Sequence, residues 1–303
     1  MGGYFRIGLA LVFGIFLVTG ALFVREQMVT ADDNNPNDIS NLVANRILRQ
    51  YQDPKDTDGD GRKDWEEVVM GTNPKGSDAI GTSTESTLSD TDFEPTTLTQ
   101  KFAVGFFDAF IRARKNNTKL TPAEEQALVE QTARKFASEN TNNLYTRGDI
   151  EIIGNGGSAL YNYANAVGTL IAKNSPERPL ENEAMILKRA VDADNPALLA
   201  DLSIISNAYT RIVDDMLKVP VPEENVTEHL LLLNSFAAIR DDVKGMELVF
   251  SDPMLSLIRV KRYQDDVDGL ANSIEAMRRV LEEEGLVFDK NDAGSFFFSL
   301  HPR

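Results

Sequence analysis

Between residues 56 and 67 the chain reads DTDGDGRKDWEE, and side chains carrying oxygen recur at alternate positions before a closing glutamate. Asp56, Asp58, Asp60, Asp64 and Glu67 fall at loop positions 1, 3, 5, 9 and 12, Arg62 offers its backbone carbonyl at position 7, and Gly61 stands at position 6. A hard cation of calcium's size takes about six to eight oxygens, so alternate side chains of a tight loop converge on it. A glycine permits the sharp turn, and the last glutamate closes the shell with both of its oxygens. The carboxylates of Asp56, Asp58, Asp60, Asp64, Glu66 and Glu67 repel one another unless a cation sits among them. A solvated acidic turn explains the charge but not the agreement of spacing, glycine and final glutamate. The predicted ion is Ca2+, held by Asp56, Asp58, Asp60, Arg62, Asp64 and Glu67.

The flanks refine this. Upstream, Ile39, Leu42, Val43, Ile47 and Tyr51 form a helical stripe that starts at Asp38 and ends near Asp53-Pro54. Downstream, Trp65, Val68 and Val69 lie on a short helical turn stopped by Gly71 and Pro74, and position 8 holds Lys63 where paired EF-hand loops carry an apolar residue. The run DTDGDGRKDWEEVVMGTNP, residues 56–74, resembles the bacterial extracellular calcium repeats of the thrombospondin type 3 and dockerin-like kind. In that family an aspartate-rich loop is followed by a tryptophan or leucine, a short helix and a GTNP or GTDP stop. The resemblance implies a structural rather than a signalling role. It covers only these residues, and the following KGSDAIGTSTE has lost the aspartate ladder, so one site is expected rather than a series. Extracellular loops of this type bind with Kd around 10⁻⁴ to 10⁻³ M.

The N-terminus predicts export independently of the loop. Ile7 to Val24 is uncharged and apolar, and as a helix it extends about 27 Å, close to the thickness of a bilayer core. Arg6 and the free amine precede it, while Arg25 is followed by Glu26, Asp32 and Asp33, a bias that places the N-terminus in the cytoplasm and the rest outside. A single-pass signal anchor is favoured because the run is longer than a cleavable signal core. If the segment is cleaved after Ala31, the protein is secreted instead.

Composition narrows the function classes. Of 303 residues, 31 are basic and 47 acidic, a net charge of −16 that opposes binding to nucleic acid phosphates. With no cysteine there is no disulfide, thiolate nucleophile or Cys-ligated metal, and His229 and His301 are the only imidazoles. That scarcity of catalytic side chains argues against an enzyme.

After a Gly/Ser/Thr-rich linker the chain turns helical. Phe102, Phe106, Phe107, Ala109, Phe110 and Ala113 mark one helix, and Thr121, Pro122 and Glu124 open another that carries Leu128, Val129, Ala133 and Phe136. Leu160, Tyr163, Val167, Leu170 and Ile171 mark a third, with a shorter helix over Glu181 to Val191. Beyond Asn195-Pro196, three runs share a 4-3-4-3-4 apolar spacing: Leu198 to Met216, Leu232 to Phe250 and Tyr263 to Leu281. The connections at Pro220-Val221-Pro222 and Ser251-Asp252-Pro253 are short, which predicts an antiparallel bundle with an intramolecular core rather than an intermolecular coiled coil.

Other motifs weigh little. Gly154, Gly156 and Ala159 fit GxGxxA but lack the acidic residue expected about twenty positions on. Arg147-Gly148-Asp149 reads as a polar turn, Asn116 and Asn225 open glycosylation triplets, and His229 stands without a second imidazole. Phe296 to Phe298 are expected to dock on the bundle.

The fold class expected is therefore mainly α: an N-terminal transmembrane segment (1–31), a small helix-loop-helix calcium module (32–74), a linker (75–97) and an antiparallel helical bundle (98–303). The function expected is a membrane-anchored calcium-binding structural or adaptor protein of the bacterial cell envelope, whose bundle binds a protein partner. The alternatives are a carboxylate-dependent hydrolase of envelope polymers and a subunit of a secretion or pilus assembly.

Overall fold

A computed structural model of the protein describes residues 57–59, 75, 96–102, 144–156 and 158–299, and these are mainly helical, as the apolar periodicity predicts. The chain divides into two compact units: Met1–Leu42 with Asn142–Glu247 and Arg259–Arg303, and Val43–Thr141 with Leu248–Ile258. The predicted spanning segment Ile7–Val24, the helix from Asp38, Trp65 and the helices predicted between residues 103 and 143 lie outside the described residues. Among the described residues no helix is long and apolar enough to cross a membrane.

In the first unit, helices α1 (Ala159–Asn174), α2 (Glu183–Asp192), α3 (Ala200–Met216) and α4 (Val226–Glu247) are followed by α5 (Pro253–Glu283), which belongs to this unit from Arg259 onward, and by the short α6 (Phe296–Ser299). Two residue pairs form a minimal parallel ladder, β1 (Ile152–Ile153) against β2 (Val221–Pro222), with Ile152 opposite Val221. Asn182 caps α2 by accepting from the Ala184 amide at 2.9 Å. Asn195 acts as the predicted cap, accepting from the Ala197 amide at 3.0 Å, but the turn it opens is a tight 3-10 turn over Pro196–Leu199 that only then widens into α3.

The 4-3-4-3-4 runs place most of their members inside, while the end members Leu198 and Phe250 are half-buried and lie outside α3 and α4. Leu202, Ile205, Tyr209, Ile212 and Met216 of α3, Leu232, Phe236, Ile239, Val243 and Met246 of α4, and Tyr263, Val267, Leu270, Ile274, Met277 and Leu281 of α5 are all buried within the one chain. Each large apolar side chain so enclosed contributes about 1.5–3 kcal/mol relative to exposure, before the entropy of ordering it. Along this core α3 packs against α4.

Gly285, with φ +66°, ends α5 in the left-handed conformation that L side chains avoid, and the Leu286 amide bonds back to the Leu281 carbonyl at 3.0 Å. The chain then returns across α1. Phe288 stacks on Tyr161 with ring centroids 5.0 Å apart, the Tyr161 hydroxyl donates to Asp292 at 2.9 Å, and the Gly294 amide donates to Asn165 Oδ1 at 2.9 Å. Gly168 makes this approach possible, because a Cβ there would collide with the Ala293 carbonyl. Phe296 and Phe297 are buried and Phe298 is half-buried, so the aromatic terminus docks as expected.

In the second unit, a helical segment over 98–102 packs Leu98 and Phe102 on Met254 and Ile258 at the start of α5. One buried carboxylate caps both helices. Asp252 accepts from the Leu98 amide (2.7 Å), the Thr99 amide (2.9 Å) and the Thr99 hydroxyl (2.6 Å). Thr99 Oγ1 in turn accepts from the Met254 amide at 3.0 Å. The predicted hinge Ser251-Asp252-Pro253 is thus a double helix cap that joins residues far apart in sequence.

Candidate functional site

Of the six predicted calcium ligands, Asp58 is among the described residues, while Asp56, Asp60, Arg62, Asp64 and Glu67 lie outside them. Thr57 and Asp58 form a bend in which Asp58 is half-buried between two exposed neighbours. Gly59, at loop position 4, has φ +73°. A Cβ there would meet nothing within 4 Å, so space does not demand the glycine; the left-handed backbone does. Gly59 thus turns the described part of the loop two positions before Gly61, which lies outside the described residues. An aspartate ladder folded tightly back on itself can surround a cation with oxygen. Among the described residues no group of three carboxylate or imidazole side chains is placed to hold a metal, so the candidate site rests on this loop.

The first unit carries buried ionisable groups that periodicity did not reveal. Glu183, in the first turn of α2, lies inside and accepts from Tyr209 of α3 at 3.2 Å and from Tyr263 of α5 at 3.0 Å. Burial raises the Glu183 carboxyl above the usual carboxylate range and pushes both phenols well up, so the tyrosines are donors at all ordinary pH. The two hydroxyls tie three helices to one carboxyl. Tyr209 and Tyr263 are legible in the sequence as seam residues, and a buried phenol seeks an acceptor, but nothing in the local pattern marks Glu183 as that acceptor.

Asp242 of α4 is 0% exposed, and neither of its carboxylate oxygens meets a hydrogen-bond donor. Its closest cation is Arg259 of α5, at 3.8 Å. Asp266 of α5 approaches it as a second carboxyl and is itself 3.5 Å from Arg262. Burial, then the neighbouring Asp266, push Asp242 up to about 9.

His229 of α4 is also 0% exposed, and Tyr163 of α1 meets its Nδ1 at 2.9 Å. Only one of its two nitrogens is satisfied, since Nε2 is enclosed without a hydrogen-bond partner. Desolvation lowers its pKa to about 4, so the ring is neutral at physiological pH.

The surface motifs resolve into local structure. Arg147 forms a two-pronged pair with Glu223 at 2.6 and 2.7 Å, and Asp149 accepts from the amide and hydroxyl of Thr146, so both charges of the RGD turn already have partners. Asn225 is 1% exposed, which closes the Asn225-Val226-Thr227 triplet to glycosylation in the folded state. Gly154 and Gly156 leave a strand of two residues and not a nucleotide-binding crossover. A groove of about 500 Å³ runs along α1 past the end of α3, lined by Asn165, Thr169 and Lys173 with Asp215 and Lys218. Asp215 is paired with Asn174 at 2.9 Å and with both lysines, at 3.3 and 3.4 Å, and these contacts hold its carboxyl below the usual range.

Compared with protein families, curated proteins and solved structures, the chain matches none.

Proposed function

We propose that the protein is a membrane-anchored, extracytoplasmic calcium-binding adaptor. Ile7–Val24 holds it in the membrane with the N-terminus in the cytoplasm, the loop from Asp56 to Glu67 takes one Ca2+, and the helical bundle binds a second protein of the cell envelope. The observation that carries the reading is the loop itself: an alternating aspartate ladder with a bend at Thr57 and Asp58 and a left-handed Gly59. Calcium there neutralises clustered carboxylates and stiffens the segment that lies, in sequence, between anchor and bundle.

The interior of the first unit supports binding over catalysis. Glu183 is engaged by two phenols, and His229 by a third. A carboxylate-dependent hydrolase of envelope polymers needs two carboxyl groups that a sugar chain can reach, about 5–10 Å apart. Asp242 and Asp266 form an acid pair, but Asp242 is fully enclosed, which weighs against that reading. A subunit of a secretion or pilus assembly differs from the adaptor only in its partner.

Chemical crosslinking of the full chain in native envelopes, with and without calcium chelator, tests the proposal. One stoichiometric envelope partner, reduced by the chelator, is the expected result. Hydrolysis of cell-wall polymer by the purified protein would overturn it.

A further inference from the structure

Asp242 presents a chemical contradiction if it is ionised. Its two oxygens are enclosed, no N–H or O–H reaches them, and the Arg259 guanidinium stays 3.8 Å away, too far for a hydrogen bond. A charged carboxylate enclosed without a hydrogen bond is strongly disfavoured even with a cation 3.8 Å away, and proteins avoid that state by neutralising the group. The second carboxyl facing it, Asp266, also has an enclosed oxygen, Oδ2, without a hydrogen bond. One proton placed between the two groups satisfies atoms on both sides.

We propose that Asp242 and Asp266 form a proton-binding site across the α4–α5 contact, with Asp242 as a neutral acid donating to Asp266, and that losing this proton in alkaline solution loosens the contact. The geometry assigns the donor. Asp242 is on the closed side, while the Asp266 side chain is 20% exposed and lies beside Arg262, so the charge of the pair belongs on Asp266. The other charged and titratable groups around Asp242 are compatible with this. From α5 it faces Arg259, Arg262 and Tyr263, and Tyr263 donates onward to Glu183 of α2. The remaining charges of α2 are paired locally, Lys188 with Asp192 and Arg189 with Glu181. On α3, Asp201 pairs with Arg178, Arg211 donates to the Asn174 carbonyl, Asp215 holds Lys173 and Lys218, and Asp214 is exposed. On α4 itself, Arg240 pairs with Asp241, which points its charge away from the need.

The sign of the pH effect follows. The folded Asp242 value of about 9 lies above its unfolded value of 3.8, so folding takes up a proton between them. The stabilisation is complete below the unfolded value and is lost progressively as pH rises toward about 9. Asn at this position mimics the protonated acid: it donates an N–H to Asp266 and does not titrate.

The test compares urea unfolding of the full chain and of Asp242→Asn from about pH 5 to about pH 8.5. One linked proton raises the unfolding equilibrium constant of the wild type, relative to the variant, about tenfold per pH unit. An Asp242→Asn protein that folds and is at least as stable as wild type near pH 8 is expected. A flat difference between the two overturns the proposal, and if the variant does not fold the wild-type infrared spectrum decides it. Infrared spectra of the wild type give a readout independent of the variant's stability. A protonated-carboxyl band near neutral pH, weakened by Asp242→Asn, is expected, and its absence from the wild type overturns the assignment.

Discussion

Removing the Asp252 carboxylate separates two helices at a single atom group. Asp252 is 7% exposed and accepts three hydrogen bonds from Leu98 and Thr99, with a weaker one from the Leu255 amide at 3.4 Å. It therefore serves the first turn of the 98–102 segment and of α5 together. Replacing an N-cap acid by Ala costs about 0.5–2 kcal/mol for one helix. Two helices share this cap, and hydrogen bonds to a charged acceptor lie at the upper end of the range, so Asp252→Ala is expected to cost about 2–4 kcal/mol. Asp252→Asn keeps one acceptor oxygen and loses the charge, which places it near the middle, at about 1–2 kcal/mol. Far-ultraviolet circular dichroism in a urea titration follows the helices of both units, and the difference between variant and wild type isolates the effect at Asp252. With a slope of about 2 kcal/mol/M, the unfolding midpoint of the second unit should fall by about 1–2 M in Asp252→Ala and by roughly half as much in Asp252→Asn. A shift below about 0.3 M in Asp252→Ala, or an Asn variant no better than the Ala variant, would refute the double-cap account.

Three further outcomes follow from the first unit. Tyr263→Phe leaves Glu183 with one donor inside the core and should cost about 1–3 kcal/mol in chemical denaturation, with Tyr209→Phe behaving alike. His229, held at about 4 when folded against 6.5 in its ordinary state, binds less proton folded than unfolded between those values. Its stabilisation is therefore present above pH 6.5 and lost as pH falls toward 4, and His229→Gln should flatten that part of the stability-against-pH curve. Gly168→Ala drives a methyl group into the Ala293 carbonyl, so the returning segment after Gly285 should lift from α1, at a cost of about 1–3 kcal/mol. Limited proteolysis is expected to cut that segment faster in the variant.

How much of this was readable in the sequence depends on the physical origin of each feature. The seams of α3, α4 and α5 were legible because burial imposes a 3.5-residue spacing on apolar residues regardless of what they pack against. Asn195 is legible as a cap and Asn182 is not, because only Asn195 is followed by a proline that marks the first helical position. The Glu183 hub, the Asp242–Asp266 pair and the Asp252 cap were not legible. Each joins polar residues tens of positions or more apart, and a charged residue facing inward has the same local pattern as one facing solvent. Asp242 sits in the run Arg240-Asp241-Asp242, which reads as a solvated face and is half interior. The calcium loop is the opposite case, since all its proposed ligands lie within one short stretch and their spacing is the signal. Asp58 and Gly59 add a bend and a left-handed turn to that pattern.

Calcium binding to the Asp56–Glu67 loop is the central claim, and titration calorimetry of the full chain in detergent, read together with Trp65 fluorescence, tests it most directly. The account predicts one calcium per chain with Kd around 10⁻⁴ to 10⁻³ M, a change in Trp65 emission over the same range, and loss of both in Asp60→Ala. No heat and no fluorescence change up to several millimolar calcium, or an Asp60→Ala protein that responds like the wild type, would contradict it.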